Sequence, residues 1–314
     1  MPAHGLPTRG ITQAFALLEL RGAEAFGCRF FQPRAGRLRQ VLFFIHIPKT
    51  AGISFRRMLW RNLRTRLIEV PHVFFEDAIG GERIRKWMNN DAEKLAVASH
   101  RLSLDLPLQD CETFSGYAIA VIRNPADWIS SHFHYTQKPG IISYAQTNPN
   151  QSSSFDSYIA YLANRRNEVG FKAPSQAKIL LRDNHANVGD VETLLVKQRL
   201  FLLPQELLLE GVTALSMRFP KHLRDPSLEQ VNVNKRSRHP MNPETRELVS
   251  ELLSVDHRLY ALAEANLKTL LAGVESASYT RKLRAVRLKS EFRNAALSGL
   301  QAGSERVSNF IRSL

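Results

Sequence analysis

Cysteines are scarce in this sequence, and long hydrophobic segments are missing. Cys28 and Cys111 are the only cysteines among 314 residues, and their separation gives no metal-ligand spacing, so a disulfide framework is not expected. No window approaches about eighteen consecutive apolar residues, which argues against a transmembrane helix. The apolar residues 14–18 are followed by Glu19 and Arg21, and this pattern does not fit a secretory signal. We therefore expect a cytoplasmic protein.

Acidic residues are also few. The sequence has 29 Asp and Glu residues against 43 Lys and Arg, which gives a net charge of +14 and a pI near 10.1. Such an excess favours an anionic partner, such as a nucleic acid, an acidic polysaccharide, an anionic lipid or a polyphosphorylated nucleotide, and charge alone does not choose among them. The apolar fraction of 44% is enough for the core of one large domain or two small ones.

Residues 41–63 have the pattern of a strand, a turn and a helix. Residues 41–45 are apolar, which is typical of a buried parallel strand. The chain turns over residues 48–52, after which Phe55, Leu59 and Leu63 recur with helical spacing. Such a unit directs the N–H groups of the first helical turn toward whatever lies above the turn, and the helix N-terminus adds about half a positive charge there.

The turn also carries side chains that suit an anion. Lys49 adds a full positive charge, and Thr50 and Ser54 add hydroxyl groups. We therefore predict a phosphate site here, the alternative being an ordinary strand–turn–helix with an exposed lysine. The candidate phosphate-binding residues are Pro48, Lys49, Thr50, Ala51, Gly52, Ile53 and Ser54.

The order of residues in this turn is not that of a Walker A loop, because Lys49 precedes Gly52. The string Pro-Lys-Thr-Ala-Gly-Ile-Ser after a strand ending in Ile-His-Ile resembles the 5′-phosphosulfate-binding loop of sulfotransferases. It is most similar to the carbohydrate-type family that includes heparan sulfate 2-O-sulfotransferase and bacterial relatives with a family 2 sulfotransferase domain. The resemblance extends from about Leu42 to about Leu267. It implies that 3′-phosphoadenosine 5′-phosphosulfate (PAPS) is the donor and 3′,5′-adenosine bisphosphate (PAP) the product.

A second apolar run, residues 117–122, leads into Arg123, Asn124 and Pro125. Pro125 is well placed to begin a helix, and Ser131 lies about two turns along it. Arg123 and Ser131 could together bind a second phosphate, and they resemble the 3′-phosphate-binding motif of the same family. The family often has arginine where this chain has Trp128, and tyrosine where it has Phe133. Either departure could alter what covers the acceptor, and a structural ion pair is the alternative role for Arg123.

His100 follows a third short apolar run, residues 95–99. Functional residues gather at the carboxyl ends of parallel strands, so His100 is expected beside Lys49. An imidazole with a pKa near 6.5 can take the proton from an attacking hydroxyl, and the resemblance places a candidate general base at this position. A histidine that only forms a hydrogen bond at a strand end is an equal alternative.

Two basic segments follow later in the chain. Lys235 and Arg236 lie in a basic loop that ends in His-Pro, and this loop resembles the one that closes over the nucleotide in heparan-type sulfotransferases. A solvated run of charges is the alternative. Residues 281–293 alternate basic and apolar side chains. This pattern fits a helix packed on the domain or facing a partner, which we slightly favour, or one lying on an anionic membrane surface.

The expected fold is α/β and P-loop-like, with a central, mostly parallel sheet and helices on both faces. We predict an N-terminal extension over residues 1–40, a sulfotransferase domain over 41–270 and a basic helical tail over 271–314. The expected site lies where strands end near residues 47, 99 and 122.

The predicted activity is transfer of a sulfuryl group from PAPS to a hydroxyl of an acceptor, for which a saccharide is favoured. Lys49 would stabilise the leaving phosphate and His100 would act as base. No metal is required, and we expect no nucleic-acid partner. The alternatives are a P-loop phosphotransferase, which needs Walker A order and a magnesium-binding carboxylate, and a non-catalytic nucleic-acid or polyanion binder, for which no known DNA-reading motif is present.

Overall fold

The central sheet is parallel. The computed structural model describes residues 38–70, 79–137, 154–168, 173–181, 187–229 and 241–313, with side chains to residue 299. Within these residues the sheet has five strands, which are β1 (Arg39–Ile45), β2 (Leu67–Glu69), β3 (Ala96–Ser99), β4 (Phe114–Ile122) and β5 (Leu200–Pro204). Their order is β2-β3-β1-β4-β5, so the predicted α/β fold with a parallel sheet and P-loop-like topology is confirmed.

Helices cover both faces of the sheet. They are α1 (Gly52–Leu63), α2 (Gly81–Asn90), α3 (Pro125–Thr136), α4 (Phe155–Arg165), α5 (Gln176–Leu181), α6 (Val188–Val196), α7 (Leu208–Arg218), α8 (Pro243–Leu252), α9 (Ser254–Ala272) and α10 (Ser276–Ser313). Alternate residues of each strand point to opposite faces, so Phe43 and Ile45 pack in a core that includes α2, α5, α6 and α9. Leu42 and Phe44 pack in a second core with α1 and α7.

Strand β1 shows why the strands of this sheet appear in the sequence as continuous apolar runs. Its residues 41–45 are all buried, since both faces of a parallel sheet are covered by helices. The backbone N–H of His46 donates to Ser99 O at 3.0 Å, directly after the paired residues of β1 and β3. The carboxyl ends of these two strands therefore lie side by side.

Some boundaries differ from the expected ones. Strand β4 begins at Phe114 rather than Tyr117, because Phe114 pairs with Arg39 at the start of β1. Asp190, which could have been an N-cap, is the third residue of α6. The cap is Asn187, and the two residues form a capping box. Residues 1–37 and 138–153, together with Lys235 and Arg236, lie outside the described residues.

The C-terminal segment forms one long helix, α10, whose first half packs on the domain. Val286 and Ser290 are buried, and Ser290 Oγ accepts a hydrogen bond from Leu228 N at 2.9 Å. Tyr279 Oη donates to Glu210 O on α7 at 3.3 Å. Within the described residues, none of the helices has the length and hydrophobicity needed to cross a membrane.

Candidate active site

The β1–α1 turn contains two residues in the left-handed region. Lys49 has φ 67° and Ala51 has φ 60°, a conformation that costs free energy for residues with a Cβ. Buried Thr50 stabilises the turn, because its hydroxyl donates to Ile47 O at 2.8 Å. The Thr50 hydroxyl proton is thus used within the turn. If Thr50 contacts a phosphate as predicted, the donor is its backbone N–H rather than its hydroxyl.

The first turn of α1 has no side-chain cap. Ala51 stands at the N-cap position, where its methyl side chain can accept no hydrogen bond, and no acidic residue lies in the first turn. The first N–H groups of a helix have no intrahelical partner. The N–H groups of Gly52, Ile53 and Ser54 therefore form a positive terminus that suits an anion.

Gly52 is required by a side chain rather than by its own backbone angles. A Cβ at Gly52 would lie 1.8 Å from Cδ2 of His46. The His46 ring is buried, stacks on Phe44 with centroids 5.5 Å apart and stacks on His100 at 3.7 Å. His46 therefore fills the space between the start of α1 and His100.

His100 lies beside the loop, as expected, with a defined tautomer. Its Nδ1 is 2.7 Å from His46 O, and since a carbonyl oxygen only accepts, Nδ1 must carry the proton. In the neutral ring Nε2 is then the nitrogen that carries the lone pair. This arrangement gives His100 one ring nitrogen for structure and one that is chemically able to accept a proton.

The tip of β4 meets the same loop. Arg123 Nη1 donates to Lys49 O at 3.3 Å, and Trp128 Nε1 donates to Pro48 O at 2.8 Å. Trp128 is buried and supports the loop through this hydrogen bond, so its ring is not exposed to an acceptor. Phe133 is also buried, in a cluster with Phe155 and other residues of α4 and α8. Both departures from the family pattern therefore serve packing.

A buried polar network fixes Arg123. Gln176 is fully buried, and its amide bonds both backbone groups of Arg123, accepting from N at 2.9 Å and donating to O at 2.8 Å. Asp256 in turn accepts from Gln176 N, Ala177 N and Ser175 Oγ at 2.7–2.9 Å. Burial raises the pKa of Asp256, and these three hydrogen bonds oppose the shift.

Helix α3 presents one face to the loop. Trp128, Ser131, His132 and Tyr135 share this face at helical spacing. The Tyr135 ring lies 4.6 Å from Lys49 Nζ, a cation–π distance. Ser131 is half-buried on the same face, so it lies on the side of α3 that contacts the loop.

His132 is a buried titratable group beside the site. Burial and the charge of Lys49 lower the pKa of His132 to about 4, so the ring is neutral at neutral pH. Its Nδ1 is 3.3 Å from Tyr158 Oη. Burial raises the pKa of Tyr158, so the phenol stays protonated and donates. His132 is therefore an uncharged side chain next to the Lys49 ammonium group.

Glu206 connects the start of α3 to helix α9. Its carboxylate accepts from Asn124 N at 3.2 Å and from Tyr260 Oη at 3.1 Å.

Within the described ranges no group of three or more His, Cys, Asp or Glu side chains could hold a metal ion. The structure thus assembles the loop 48–54, His100, Arg123 and Ser131 at one edge of the sheet, where β1, β3 and β4 end.

Sequence reasoning missed five residues of this arrangement. They are His46, His132, Tyr135, Gln176 and Asp256. His132 and Tyr135 could have been found from their helical spacing to Trp128, and His46 from its position between the strand and the loop. Gln176 and Asp256 are about 50 and 130 residues from Arg123, and nothing local signals their contact.

No protein-family model matches this chain, and no curated protein sequence matches it. Among solved structures, the chain is similar to the crystal structure of a sulfotransferase from Alicyclobacillus acidocaldarius. The two have 14% sequence identity and a TM-score of 0.39, and the match covers 73% of this chain and 97% of that chain.

Proposed function

We propose that the protein is a sulfotransferase that moves a sulfuryl group from PAPS to a hydroxyl group of an acceptor, with a saccharide as the favoured acceptor. The observation that carries the proposal is the contact between two separate anion-binding units. Arg123, at the tip of β4, donates to the carbonyl of Lys49 in the β1–α1 turn. Two cationic sites so close together suit a nucleotide that carries phosphate at both its 5′ and 3′ positions.

The residues present fit such a donor. The uncapped start of α1 and Lys49 suit the 5′-phosphosulfate, while Arg123 and Ser131 suit the 3′-phosphate. Lys235 and Arg236 would add positive charge over the nucleotide. When bound, PAPS supplies the sulfuryl group, and its leaving phosphate gains negative charge. Lys49 and the N–H groups of the first turn of α1 are the chain's donors to that charge.

His100 is the proposed general base. Its Nδ1 is held by His46 O, which leaves Nε2 to take the proton from the acceptor hydroxyl as that hydroxyl attacks. The stacked His46 ring limits the motion of His100. The net charge of +14 favours an acidic saccharide as acceptor.

Calorimetric titration tests the proposal without knowledge of the acceptor. PAP, 5′-AMP and ATP are each titrated without magnesium into the wild type and into Lys49→Ala and Arg123→Ala. We expect PAP to bind most tightly. Each hydrogen bond to a charged phosphate contributes about 1.5–3 kcal/mol, so each variant should bind PAP about tenfold to a hundredfold more weakly.

The nucleotides separate the two sites. Lys49→Ala should weaken PAP and 5′-AMP alike, whereas Arg123→Ala should weaken PAP and leave 5′-AMP nearly unchanged, because 5′-AMP lacks the 3′-phosphate. Lys197→Ala, at an exposed position after α6, is the matched control and should change neither. Tighter binding of ATP than of PAP, in a parallel titration with magnesium, would favour a phosphotransferase, and salt-sensitive binding to DNA without binding to PAP would favour a polyanion binder.

A further inference from the structure

Helices α1 and α10 meet at two carboxylates away from the candidate active site. Arg61 Nη1 is 2.9 Å from Glu229, and Arg57 Nη1 is 3.3 Å from the same carboxylate. From α10, Arg293 and Lys289 lie 2.8 Å and 2.9 Å from Asp225. Four cations thus surround two carboxylates, which leaves this cluster with two net positive charges.

The acidic members of the cluster stay ionised. Burial raises the pKa of Asp225, but hydrogen bonds from Ser227 and Lys289 and the charge of Arg61 lower it to about 2 in total. Arg57 and Lys289 are about half exposed. The excess positive charge is therefore permanent at neutral pH and accessible to an anionic surface.

Large apolar side chains are exposed beside these cations. Phe292 is 81% exposed, Leu288 is 55% exposed and Trp60 is 50% exposed. Leu288 and Phe292 are one helical turn apart and lie next to Lys289 and Arg293 in α10. An isolated exposed apolar residue is normal, but two on one turn beside a basic cluster form a basic, amphipathic surface.

Helix α1 has the same combination on its outer face. Trp60 shares a helical face with Arg57 and Arg61, and the guanidinium of Arg64, the residue that follows α1, lies 4.7 Å from the Trp60 ring. Tryptophan has an apolar body and a polar N–H, a combination favoured at the boundary between lipid and water. On α10, Arg281 and Arg284 are also exposed, and Glu291 is an exposed acidic residue.

We propose that this α1/α10 surface, formed by Arg57, Trp60, Arg64, Leu288, Lys289 and Phe292, docks the protein on an anionic lipid bilayer. The cations attract negatively charged headgroups, and Leu288, Phe292 and Trp60 enter the boundary between headgroups and acyl chains. An acidic polysaccharide would satisfy the cations but would offer no apolar phase for Leu288 and Phe292. The inference uses no part of the proposed activity.

Vesicle flotation of the full chain tests the proposal. Vesicles of phosphatidylcholine alone are compared with vesicles that also contain phosphatidylglycerol. The wild type should float with the anionic vesicles only, and the double variant Leu288→Ser with Phe292→Ser should bind at least about tenfold more weakly. The matched control is Val196→Ser with Val255→Ser, which changes two apolar residues exposed on other helices and should bind like the wild type.

Charge reversal provides a second comparison. Arg284→Glu should weaken binding to anionic vesicles, whereas Arg258→Glu, at an exposed position on α9, should have a smaller effect although it changes the net charge equally. Equal flotation of the Leu288/Phe292 double variant and the wild type would overturn the proposal. So would absence of vesicle binding together with retention on a sulfated polysaccharide or DNA column, which would assign the surface to a polyanion.

Discussion

Two strand–turn–helix units stand side by side at the same edge of the sheet, and their helices begin in opposite ways. In the β1–α1 unit, Ala51 at the N-cap offers no side-chain acceptor, and the first turn of α1 has no acidic residue. In the β4–α3 unit, Asn124 Oδ1 accepts from Ala126 N and Asp127 N at 3.1 and 3.4 Å. Pro125 begins α3, and Asp127 adds a negative charge to its first turn.

The difference indicates how the two neighbouring units would divide the recognition of anions in the proposed function. The α1 terminus suits an anion, because Ala51 provides no side-chain cap for its first turn. The α3 terminus is satisfied internally, and the charge of Asp127 would oppose a phosphate there. The β4–α3 unit must therefore act through side chains, and Arg123, fixed by Gln176 on both backbone groups, is the one placed to do so.

The largest effect should come from closing the open terminus of α1. In Gly52→Ala the new Cβ would collide with the His46 ring, 1.8 Å away. We expect a loss of about 3 kcal/mol in the free energy of unfolding and a more than tenfold loss of PAP affinity, because the first turn of α1 must shift. Denaturant unfolding and calorimetry measure the two quantities.

Two comparisons isolate the collision with His46. Gly273→Ala is the matched control, since its new Cβ would meet only ordinary contacts, the nearest at 3.6 Å, and should change stability by less than about 0.5 kcal/mol. In the double variant Gly52→Ala with His46→Ala the two destabilisations should not add, because the colliding ring is gone. Additive effects would contradict the steric explanation.

The junction between the two units should be sensitive to acid. His132 on α3 has a pKa of about 4 against an ordinary 6.5, because of burial and of Lys49. The unfolded state therefore takes up this proton more readily, so the stabilising contribution is present above pH 6.5 and is lost as the pH falls toward 4. The loss should approach roughly 3 kcal/mol.

Denaturant unfolding across this pH range in the wild type and in His132→Gln measures the contribution. The glutamine variant should lose less stability than the wild type between pH 6.5 and pH 4. An unchanged slope in His132→Gln would mean that His132 is not held neutral by its surroundings.

Much of the fold could be predicted from local patterns. The apolar runs of β1, β3 and β4 are each completely or nearly buried, and Pro125 begins a helix as expected. Such signals succeed because burial on both faces of a parallel sheet leaves little choice of residue type. Local sequence does not decide the N-cap of α6, because Asn187 and Asp190 are both residue types that cap helices well. The choice depends on where the preceding segment joins the helix.

The residues of the candidate site likewise separate into those that local sequence patterns could place and those that they could not. Lys49, Gly52 and Arg123 could be placed from sequence because each follows a recognisable strand. The reason for Gly52 could not, since it is the His46 ring, whose position depends on stacking with His100 from another strand. The clamp of Gln176 and Asp256 on Arg123 was also invisible, because side-chain contacts between distant segments have no local periodicity.

The smallest predicted effect comes from making the start of α3 as bare as that of α1. Asn124→Ala removes the side-chain acceptor for Ala126 N and Asp127 N, which should cost about 1 kcal/mol in the free energy of unfolding. Asn124→Ser restores a capping oxygen and should recover most of this loss. The PAP affinity of Asn124→Ala should stay within a few-fold of the wild type, because the charge of Asp127 still disfavours a phosphate at this terminus. A gain in PAP affinity would show instead that the Asn124 cap, and not Asp127, is what keeps anions away from α3.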